Sequence, residues 1–351
     1  MRLDSVMNLL GIACKVPPAA YSQADCWDVL QGSPRFGELR DRSKRLLEKV
    51  LNSENGIGKR HFAMPEVDRL FDLDAESLNR GFEKEAPRLA EAALGEALES
   101  AGVIPREVDA LLVCTCTGYL CPGVSSYVAE RMNLRPDVYL SDLVGLGCGA
   151  AIPMLRQAEA FAAANPSMTI SCVAVEICSA AFYLDDDPGV LISLCLFGDG
   201  AAATVWRGGK REESASVRCS DFDTVHSPQD RELLRFVNAG GKLRNRLARS
   251  VPQKAAAAVQ LLFDRMGDPS VDIVSHAGGR DVLDEIEEVL GCPEIQVSRD
   301  VLHSFGNMSS PSVLFALHRL LEEKKGAPVN AWATSFGAGF ACHSCRVQGV
   351  A

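Results

Sequence analysis

The sequence contains no apolar run long enough to cross a membrane, which takes about 18 uninterrupted residues, and it has no recognisable signal peptide. Its positive charges are too few for a nucleic-acid-binding surface, because 36 Lys and Arg against 46 Asp and Glu leave a net charge of −10. The 13 cysteines are odd in number and lack the regular spacing of a disulfide framework. We therefore expect a cytoplasmic protein in a reducing setting, with no nucleic-acid partner and no membrane span.

The remaining composition is that of an ordinary globular chain. With 351 residues, 47% of them hydrophobic and 23% charged, the chain is long enough for one large domain or two ordinary ones. Strand-like and helix-like segments alternate: Glu83–Ser100 indicates a helix, Val108–Cys116 a buried strand, Met154–Ala164 a helix and Met168–Cys178 a further strand. This alternation predicts an α/β fold.

The segment 142–155, DLVGLGCGAAIPML, is organised around Cys148. Its apolar run, glycine-rich centre and small helix-forming residues predict a strand, a sharp turn and a helix. A cysteine at the N-terminus of a helix is favoured as a thiolate by the unpaired N–H groups and the helix dipole. A buried cysteine between two packed elements explains this segment equally well, because cysteine is among the most buried residue types.

The second half of the chain repeats features of the first half. Three pairs of segments correspond in the same order: Val271–Val274 with Val108–Leu111, the turn Ser304–Ser310 with the turn around Cys148, and Phe336–Ala341 with Phe197–Ala202. We therefore predict a duplicated α/β unit with halves at residues 1–210 and 211–351. Equivalent strand ends of the two halves should converge on one site.

His276 and Asn307 occupy such matching positions in the second half. We expect them to meet Cys148. A histidine can hold a thiolate in an ion pair, and an asparagine amide can donate a hydrogen bond to a developing oxyanion. Taken singly, His276 could be a core histidine and Asn307 a turn residue, but their joint placement favours a reactive site.

Arg42, Arg45 and Lys49 fall on one side of a helix predicted within Arg35–Val50. A solvated helix surface is the simpler interpretation of three such cations. The alternative is a cradle for an anionic cofactor such as a nucleotide phosphate.

The runs VGLGCGAA, LFGDGAAA, HAGGRDVLD, GNMSS and SFGAGFA resemble the signature motifs of the type III polyketide synthases, the chalcone and stilbene synthase family of the thiolase fold. The matching positions extend from Arg42 to Phe340 and so cover nearly the whole chain. The resemblance implies a duplicated α/β unit in a five-layered αβαβα sandwich. It also implies that Cys148, His276 and Asn307 form the catalytic triad.

The resemblance further implies an acyltransferase that needs no cofactor, because acyl-CoA and malonyl-CoA are its substrates. Cys148 would hold the acyl starter while malonyl-CoA loses CO2, and repeated condensation would precede cyclisation. Coenzyme A contacts would come from Arg42, Arg45 and Lys49. A homodimer is implied as well, with Cys121 near the partner's cavity.

The expected substrate pocket carries the features that distinguish this chain. Cys116, Cys178 and Ala181 stand where chalcone synthases have threonines, and Phe197 corresponds to the first gatekeeper phenylalanine. The other expected substrate-binding residues are Thr117, Leu196, Ser309, Gly337 and Gly339. The second gatekeeper has no clear counterpart, although ungapped counting places it near Asn245. Smaller, less polar walls predict a fatty acyl-CoA starter and an alkylpyrone or alkylresorcinol product.

Several alternatives fit the sequence less well. Two groups of candidate metal ligands do not have the spacing of a zinc site, so no metal is expected: Cys114, Cys116 and Cys121, and Cys342, His343 and Cys345. A ketoacyl-carrier-protein synthase III would carry a short His-x-Ala-Asn motif in place of HAGGRDVLD. An HMG-CoA synthase would need a glutamate as general acid and base, and none is evident. A non-catalytic thiolase-fold binding paralogue is disfavoured by the intact triad.

Overall fold

The computed structural model describes residues 5–65, 67–210 and 217–351. The strands in these ranges are β1 (Ser5–Lys15), β2 (Ala20–Ser22), β3 (Lys59–His61), β4 (Ala110–Cys114), β5 (Tyr139–Leu143), β6 (Thr169–Glu176), β7 (Gly200–Lys210), β8 (Arg218–His226), β9 (Leu234–Ala239), β10 (Lys242–Leu247), β11 (Asp272–Ser275), β12 (Pro328–Gly337) and β13 (Ala341–Val350). The helices are α1 (Gln23–Gly32), α2 (Pro34–Glu38), α3 (Asp41–Leu51), α4 (Ala75–Ala101), α5 (Val124–Arg131), α6 (Ala151–Ala164), α7 (Pro188–Leu196), α8 (Val251–Met266), α9 (Arg280–Leu290), α10 (Gln296–Phe305) and α11 (Ser312–Glu323).

Nine of the described strands form one mixed sheet in the order β11-β12-β13-β8-β1-β7-β6-β4-β5. On one side, β5, β4 and β6 are parallel, and β7 runs antiparallel to both β6 and β1. On the other side, β11 and β12 are parallel, and β13 runs antiparallel to both β12 and β8. The same series of strand directions therefore occurs twice, as expected for a duplicated α/β unit.

The two sets of strands are joined by a short contact between β1 and β8. Only two residue pairs are in register there, Met7 with Cys219 and Asn8 with Arg218, whereas β1 pairs with β7 along nearly its whole length. The sequence did not predict this link, because strand pairing depends on which edges the tertiary fold brings together. The expected boundary between the halves borders the segment 211–216, outside the described residues, and stays a prediction.

Helices α6 and α11 form a central layer between the two sets of strands. α6 packs on β1, β6 and β7 and also on β8, β12 and β13, and α11 packs on β1 and β7 as well as on β11 and β12. On the outer faces, α4 covers β1, β6 and β7, and α8 covers β8 and β13. The layers therefore follow the αβαβα order that the sequence predicts.

The central elements are buried on both sides, which explains their composition. β6 is buried at every position from Thr169 to Glu176, as in strands whose two faces are both covered. In α11, Phe315 and Leu317 lie on nearly opposite sides of the helix, and both are buried. Even so, no helix in the described ranges is both long and apolar enough to span a membrane.

Two helix boundaries differ from the sequence prediction. The helix predicted over Arg35–Val50 is divided into α2 and α3, because Leu39 adopts an extended conformation with φ −69° and ψ 149°. The helix predicted over Glu83–Ser100 begins earlier, as α4, because the Asp74 side chain accepts a hydrogen bond from the Ser77 N–H at 2.8 Å and caps its first turn.

Candidate active site

Cys148 lies in a short 3₁₀ turn, Gly147–Gly149, directly before α6. The turn packs tightly against the connection between β12 and β13. A Cβ on Gly147, whose φ is +59°, would lie 2.8 Å from the Ala338 nitrogen, and a Cβ on Gly337 would lie 2.5 Å from the Gly149 nitrogen. Glycine is therefore required on both sides of this contact for the turn to hold its position.

Cys148, His276 and Asn307 line one cavity of about 520 Å³, which we call the large cavity. Their exposed fractions are 7%, 1% and 5%. His276 follows β11, where its N–H donates to the Thr334 carbonyl at 2.9 Å. Its ring meets that of Phe336 edge to face, with centroids 5.1 Å apart. The structure thus brings together the three residues that the sequence predicts to meet.

The surroundings of Cys148 favour its thiolate. The pKa of Cys148 is held well below its ordinary value by a hydrogen bond from Cys116, by the neighbouring His276 imidazole and by Ser309, although burial acts in the opposite direction. The Ser309 hydroxyl donates to the Cys148 sulfur at 3.1 Å, and Ser309 Oγ also lies 3.2 Å from Cys116 Sγ. The pKa of Cys116 is raised well above its ordinary value by the hydrogen bond with Cys148 and by burial.

The Asn307 side chain has a fixed orientation. Its Oδ1 accepts a hydrogen bond from the Ser309 N–H at 2.8 Å, and its Nδ2 donates to the Gly278 carbonyl at 3.0 Å. Because an amide nitrogen carries two hydrogens, the second N–H remains to donate to a bound oxygen. The side chain can therefore act as a neutral hydrogen-bond donor toward negative charge on a substrate.

Phe197 begins a turn, residues 197–199, that we call the gate turn. The Asn307 N–H donates to the Leu196 carbonyl at 2.9 Å, and the Gly198 N–H donates to the Asn307 carbonyl at 3.0 Å. The buried Arg60 side chain donates to the Phe197 carbonyl at 2.9 Å. The gate turn is thus hydrogen-bonded to the turn that carries Asn307.

Two buried carboxyl groups support these turns, and the sequence analysis did not single out either one. Asp199 accepts hydrogen bonds from the N–H groups of Ser179 at 2.8 Å and Ala63 at 2.7 Å. Glu176 accepts hydrogen bonds from the N–H groups of Cys116 at 2.9 Å and Thr117 at 3.1 Å. Burial raises the pKa of both groups, to about 6 for Asp199. A signal was available for Glu176, since it is the one charged residue in an otherwise uncharged strand.

A second space, of about 20 Å³, adjoins the gate turn, and we call it the small cavity. Its walls include most of the predicted substrate-binding residues: Cys116, Thr117, Cys178, Ala181, Phe197 and Ser309. Leu196 lines the large cavity instead. Asn245 lines both cavities.

A third space, the outer cavity, has a volume of about 700 Å³. Cys116, Phe236 and Leu243 line both the small cavity and the outer cavity and so form the wall between them. Gly339, expected at the substrate, lines the outer cavity, while Gly337 packs against the Cys148 turn.

The cations near the large cavity match the prediction only in part. Arg42, Arg45 and Lys49 are all exposed on α3, but of these only Lys49 lines the large cavity. Arg249 and Arg280, which the sequence analysis did not select, line it as well. Arg280 is the first residue of α9, so the positive end of that helix dipole also faces this region.

No group of three or more His, Cys, Asp or Glu side chains in the described ranges is arranged to hold a metal ion. Cys121 is exposed and lies outside all three cavities.

Comparisons with known proteins agree with this arrangement. Residues 4–229 match the family described as "FAE1/Type III polyketide synthase-like protein", and residues 234–350 match "Chalcone and stilbene synthases, C-terminal domain". The chain is 30% identical over 289 residues to 1,3,6,8-tetrahydroxynaphthalene synthase of Streptomyces coelicolor, which covers 80% of this chain and 75% of that protein. It is 27% identical over 371 residues to probable polyketide synthase 1 of Dictyostelium discoideum, where the match covers 97% of this chain but 11% of that protein.

The fold also matches that of a solved polyketide synthase structure. The crystal structure of PKS-I from the brown alga Ectocarpus siliculosus matches with a TM-score of 0.91 at 23% identity, covering 99% of each chain. The family matches together span almost the whole chain, including the turns that carry Cys148, His276 and Asn307. The chain therefore belongs to the type III polyketide synthases, acyltransferases of the chalcone and stilbene synthase family.

Proposed function

We propose that Cys148 is the nucleophile that takes the acyl group from a starter acyl-CoA. Members of this family use CoA thioesters as substrates and need no cofactor. The Cys148 thiolate attacks the thioester carbonyl, the bond from that carbon to the CoA sulfur breaks, and CoA leaves as a thiolate that takes up a proton. The lowered pKa of Cys148 supports this role, because the thiolate is the reactive form.

Malonyl-CoA then binds in the large cavity. His276 and the free N–H of Asn307 donate to its thioester oxygen, so that loss of CO2 leaves an enolate with its charge at that oxygen. Phe197 provides an apolar wall that disfavours the charged carboxylate. The enolate carbon attacks the acyl group on Cys148, a carbon–carbon bond forms, and the Cys148 thiolate is released for the next round.

We infer that the phosphates of CoA bind at the entrance of the large cavity. The Lys and Arg residues of its lining are Lys49, Arg249 and Arg280. Arg42 and Arg45 are exposed on α3, the helix that carries Lys49. Charged donors at this entrance would hold the polyanionic end of CoA while its thioester reaches Cys148.

These roles can be tested with radiolabelled malonyl-CoA and a panel of acyl-CoA starters. The wild-type enzyme should add several malonyl units, and intact mass spectrometry should locate the acyl group on Cys148. Cys148→Ala should carry no acyl group and form no product. A single extension that depends on acyl carrier protein, or acylation of another residue, would contradict the proposal.

For the product, we propose extension of a fatty acyl-CoA to an alkylpyrone or alkylresorcinol. The observation that carries this proposal is the wall shared by the small and outer cavities. The small cavity holds only about 20 Å³, but its neighbour beyond Phe236 and Leu243 holds about 700 Å³. A long alkyl chain on Cys148 would fit if these side chains rotate and join the two spaces, and the apolar side chains of Phe236 and Leu243 favour a hydrocarbon at the shared wall.

A matched pair of variants tests this route. Leu243→Trp should block passage from the small cavity to the outer cavity, so long acyl-CoA starters should fail while acetyl-CoA is still extended. Asn79→Ala, which changes the outer cavity on α4, a helix that contributes no residue to the shared wall, should retain long starters. Wild-type enzyme that extends only short or aromatic starters would refute the fatty acyl proposal.

A second candidate is extension of a short starter to a compact aromatic product. The volume of the small cavity favours it, because about 20 Å³ leaves no room for a long chain unless the wall moves. The similarity to a tetrahydroxynaphthalene synthase points the same way. Under this alternative, malonyl-CoA alone should give product, and Leu243→Trp should have little effect.

We also propose that the protein is a homodimer, with Cys121 near the partner's cavity. Cys121 is exposed, and the nearby Tyr119 is 76% exposed, although large aromatic side chains are usually covered. Light scattering should give about twice the chain mass of 37.7 kDa. Thiol reagents should label Cys121 slowly in the dimer. A monomer at micromolar concentration would contradict this proposal.

The working compartment is proposed to be the reducing cytoplasm. All 13 cysteines are free thiols, and a reducing compartment would keep them so.

A further inference from the structure

Asn245 lies on β10 at the border between the large and small cavities. It is 3% exposed, and Phe197 lines the same two spaces. A thioester that reaches Cys148 through the large cavity therefore occupies a space that this amide lines. Most residues around the border are apolar, among them Leu196 and Leu247.

The orientation of the Asn245 amide follows from its neighbours. The Ser193 hydroxyl donates its hydrogen to the Gly189 carbonyl at 2.7 Å, so Ser193 Oγ can only accept from Asn245. The atom that contacts Ser193 Oγ at 2.8 Å is therefore Nδ2, the donor of the amide. This contact leaves Oδ1 on the other side of the side chain.

Asn245 Oδ1 is buried and has no hydrogen-bond partner among the described residues. Unpaired buried acceptors are unfavourable and uncommon in folded proteins. Of the described buried side-chain atoms without a partner, only Asn245 Oδ1 and His276 Nδ1 belong to residues that line the large or small cavity. An acceptor in this position calls for a donor on the substrate.

Few groups of a CoA thioester can donate a hydrogen bond at this depth. The acyl and malonyl groups bring carbonyl and carboxylate oxygens, which are acceptors and would be repelled by Oδ1. The pantetheine arm brings amide N–H groups, and the nearest is separated from the thioester sulfur by two methylene groups. In an apolar passage that N–H also needs an acceptor, because burying it unpaired is unfavourable.

We propose that Asn245 Oδ1 accepts the hydrogen bond of the pantetheine amide nearest the thioester sulfur, in both the starter and malonyl-CoA. Asn245 is then a substrate-binding residue that recognises the carrier arm rather than the acyl group. Its contact fixes the distance between the sulfur and the gate turn, and so helps to place the thioester carbonyl at Cys148. This inference rests on the proposed acylation of Cys148.

Two truncated thioesters of the same acyl group test the contact. One is the N-acetylcysteamine thioester, which retains the amide, and the other is the acetoxyethyl thioester, in which an ester oxygen replaces the N–H. The measurement is the second-order rate of Cys148 acylation, followed by intact mass spectrometry. Wild-type enzyme should prefer the amide thioester by about tenfold, the usual effect of one hydrogen bond to an otherwise unpaired buried group.

Two enzyme variants, each tested with both thioesters, complete the comparison. Asn245→Leu, of similar volume but without an acceptor, should lose the preference and acylate both thioesters at similar rates. Ser193→Ala removes the contact that holds the amide but leaves Oδ1, so it should retain the preference for the amide thioester whatever its absolute rate.

Three results would overturn the inference. They are a wild-type enzyme without the preference for the amide thioester, an Asn245→Leu variant that keeps this preference, and an Asn245→Leu variant in which only the number of malonyl extensions changes. The first of these needs no variant and so does not depend on the folding of Asn245→Leu. Failure of the wild-type enzyme to be acylated by any thioester, full CoA esters included, would instead refute the proposed function.

Discussion

The carboxyl group of Asp199 links the stability of the fold to the gate turn in a way that can be measured. Asp199 is fully buried, and its carboxylate accepts hydrogen bonds from the backbone of Ser179 and Ala63. Burial nevertheless raises its pKa from 3.8 to about 6. The folded protein therefore binds this proton more tightly than the unfolded chain does.

The sign and size of the effect follow from this difference. Because the folded state holds the proton more tightly, the contribution of Asp199 to the free energy of unfolding falls as the pH rises from about 4 to about 6. At about 1.36 kcal/mol per pH unit, the difference between 3.8 and about 6 corresponds to a loss of about 3 kcal/mol. Above this range the Asp199 carboxyl is ionised in both the folded and the unfolded state, so its contribution to stability no longer changes.

Asp199→Asn removes this titration, and urea unfolding of the variant and the wild type between about pH 4 and pH 7 measures its effect. The free energy of unfolding of the variant, relative to the wild type, should rise by about 3 kcal/mol over that range. The contributions of groups that titrate in both proteins cancel in this difference. If the difference in free energy of unfolding between Asp199→Asn and the wild type does not change with pH, the reasoning is refuted, whichever of the two proteins is more stable.

Three further substitutions have defined outcomes. Ser309→Ala removes a donor to the Cys148 sulfur, so alkylation of Cys148 by iodoacetamide at neutral pH should slow by about tenfold, and an unchanged rate would contradict the role of that hydroxyl. Gly337→Ala places a Cβ 2.5 Å from the Gly149 nitrogen, so it should displace the Cys148 turn and reduce condensation by about tenfold or more. The circular dichroism spectrum of this variant should remain that of the wild type, and full activity would show that the contact can relax. Burial lowers the pKa of His343 to about 4, so the contribution of His343 to stability should fall by about 3 kcal/mol as the pH drops from about 6.5 to about 4. The free energy of unfolding of His343→Gln, relative to the wild type, should therefore rise by that amount over the same drop in pH, and a difference that does not change with pH would argue against a neutral buried histidine.

The sequence predicted the parts of the molecule that local patterns determine. Alternating strands and helices, together with the duplicated motifs, predicted the α/β unit, and the family resemblance implied the five layers; the structure confirms both. The sequence also predicted that Cys148, His276 and Asn307 would meet. Their positions follow from strand ends and turns whose spacing is visible in the chain itself.

Features that depend on contacts between distant segments were not predictable in the same way. The link between β1 and β8 depends on which strand edges meet in the fold. The cations Arg249 and Arg280 come from segments far from α3, yet they line the same cavity as Lys49. The free acceptor on Asn245 is visible only because Ser193 fixes the orientation of its amide.

Two thiols share the space around Ser309, and the proton balance between them decides which one reacts. Their mutual hydrogen bond lowers the pKa of Cys148 and raises that of Cys116, and burial and the charge of Glu176 raise the Cys116 pKa further. Because the thiolate is the nucleophile, Cys148 is the residue that should be acylated, while Cys116 remains a protonated donor. Acylation then removes the negative charge that Cys116 and Ser309 stabilise, so their hydrogens become available to the bound chain. The difference between two chemically identical side chains therefore arises from their neighbours in the fold.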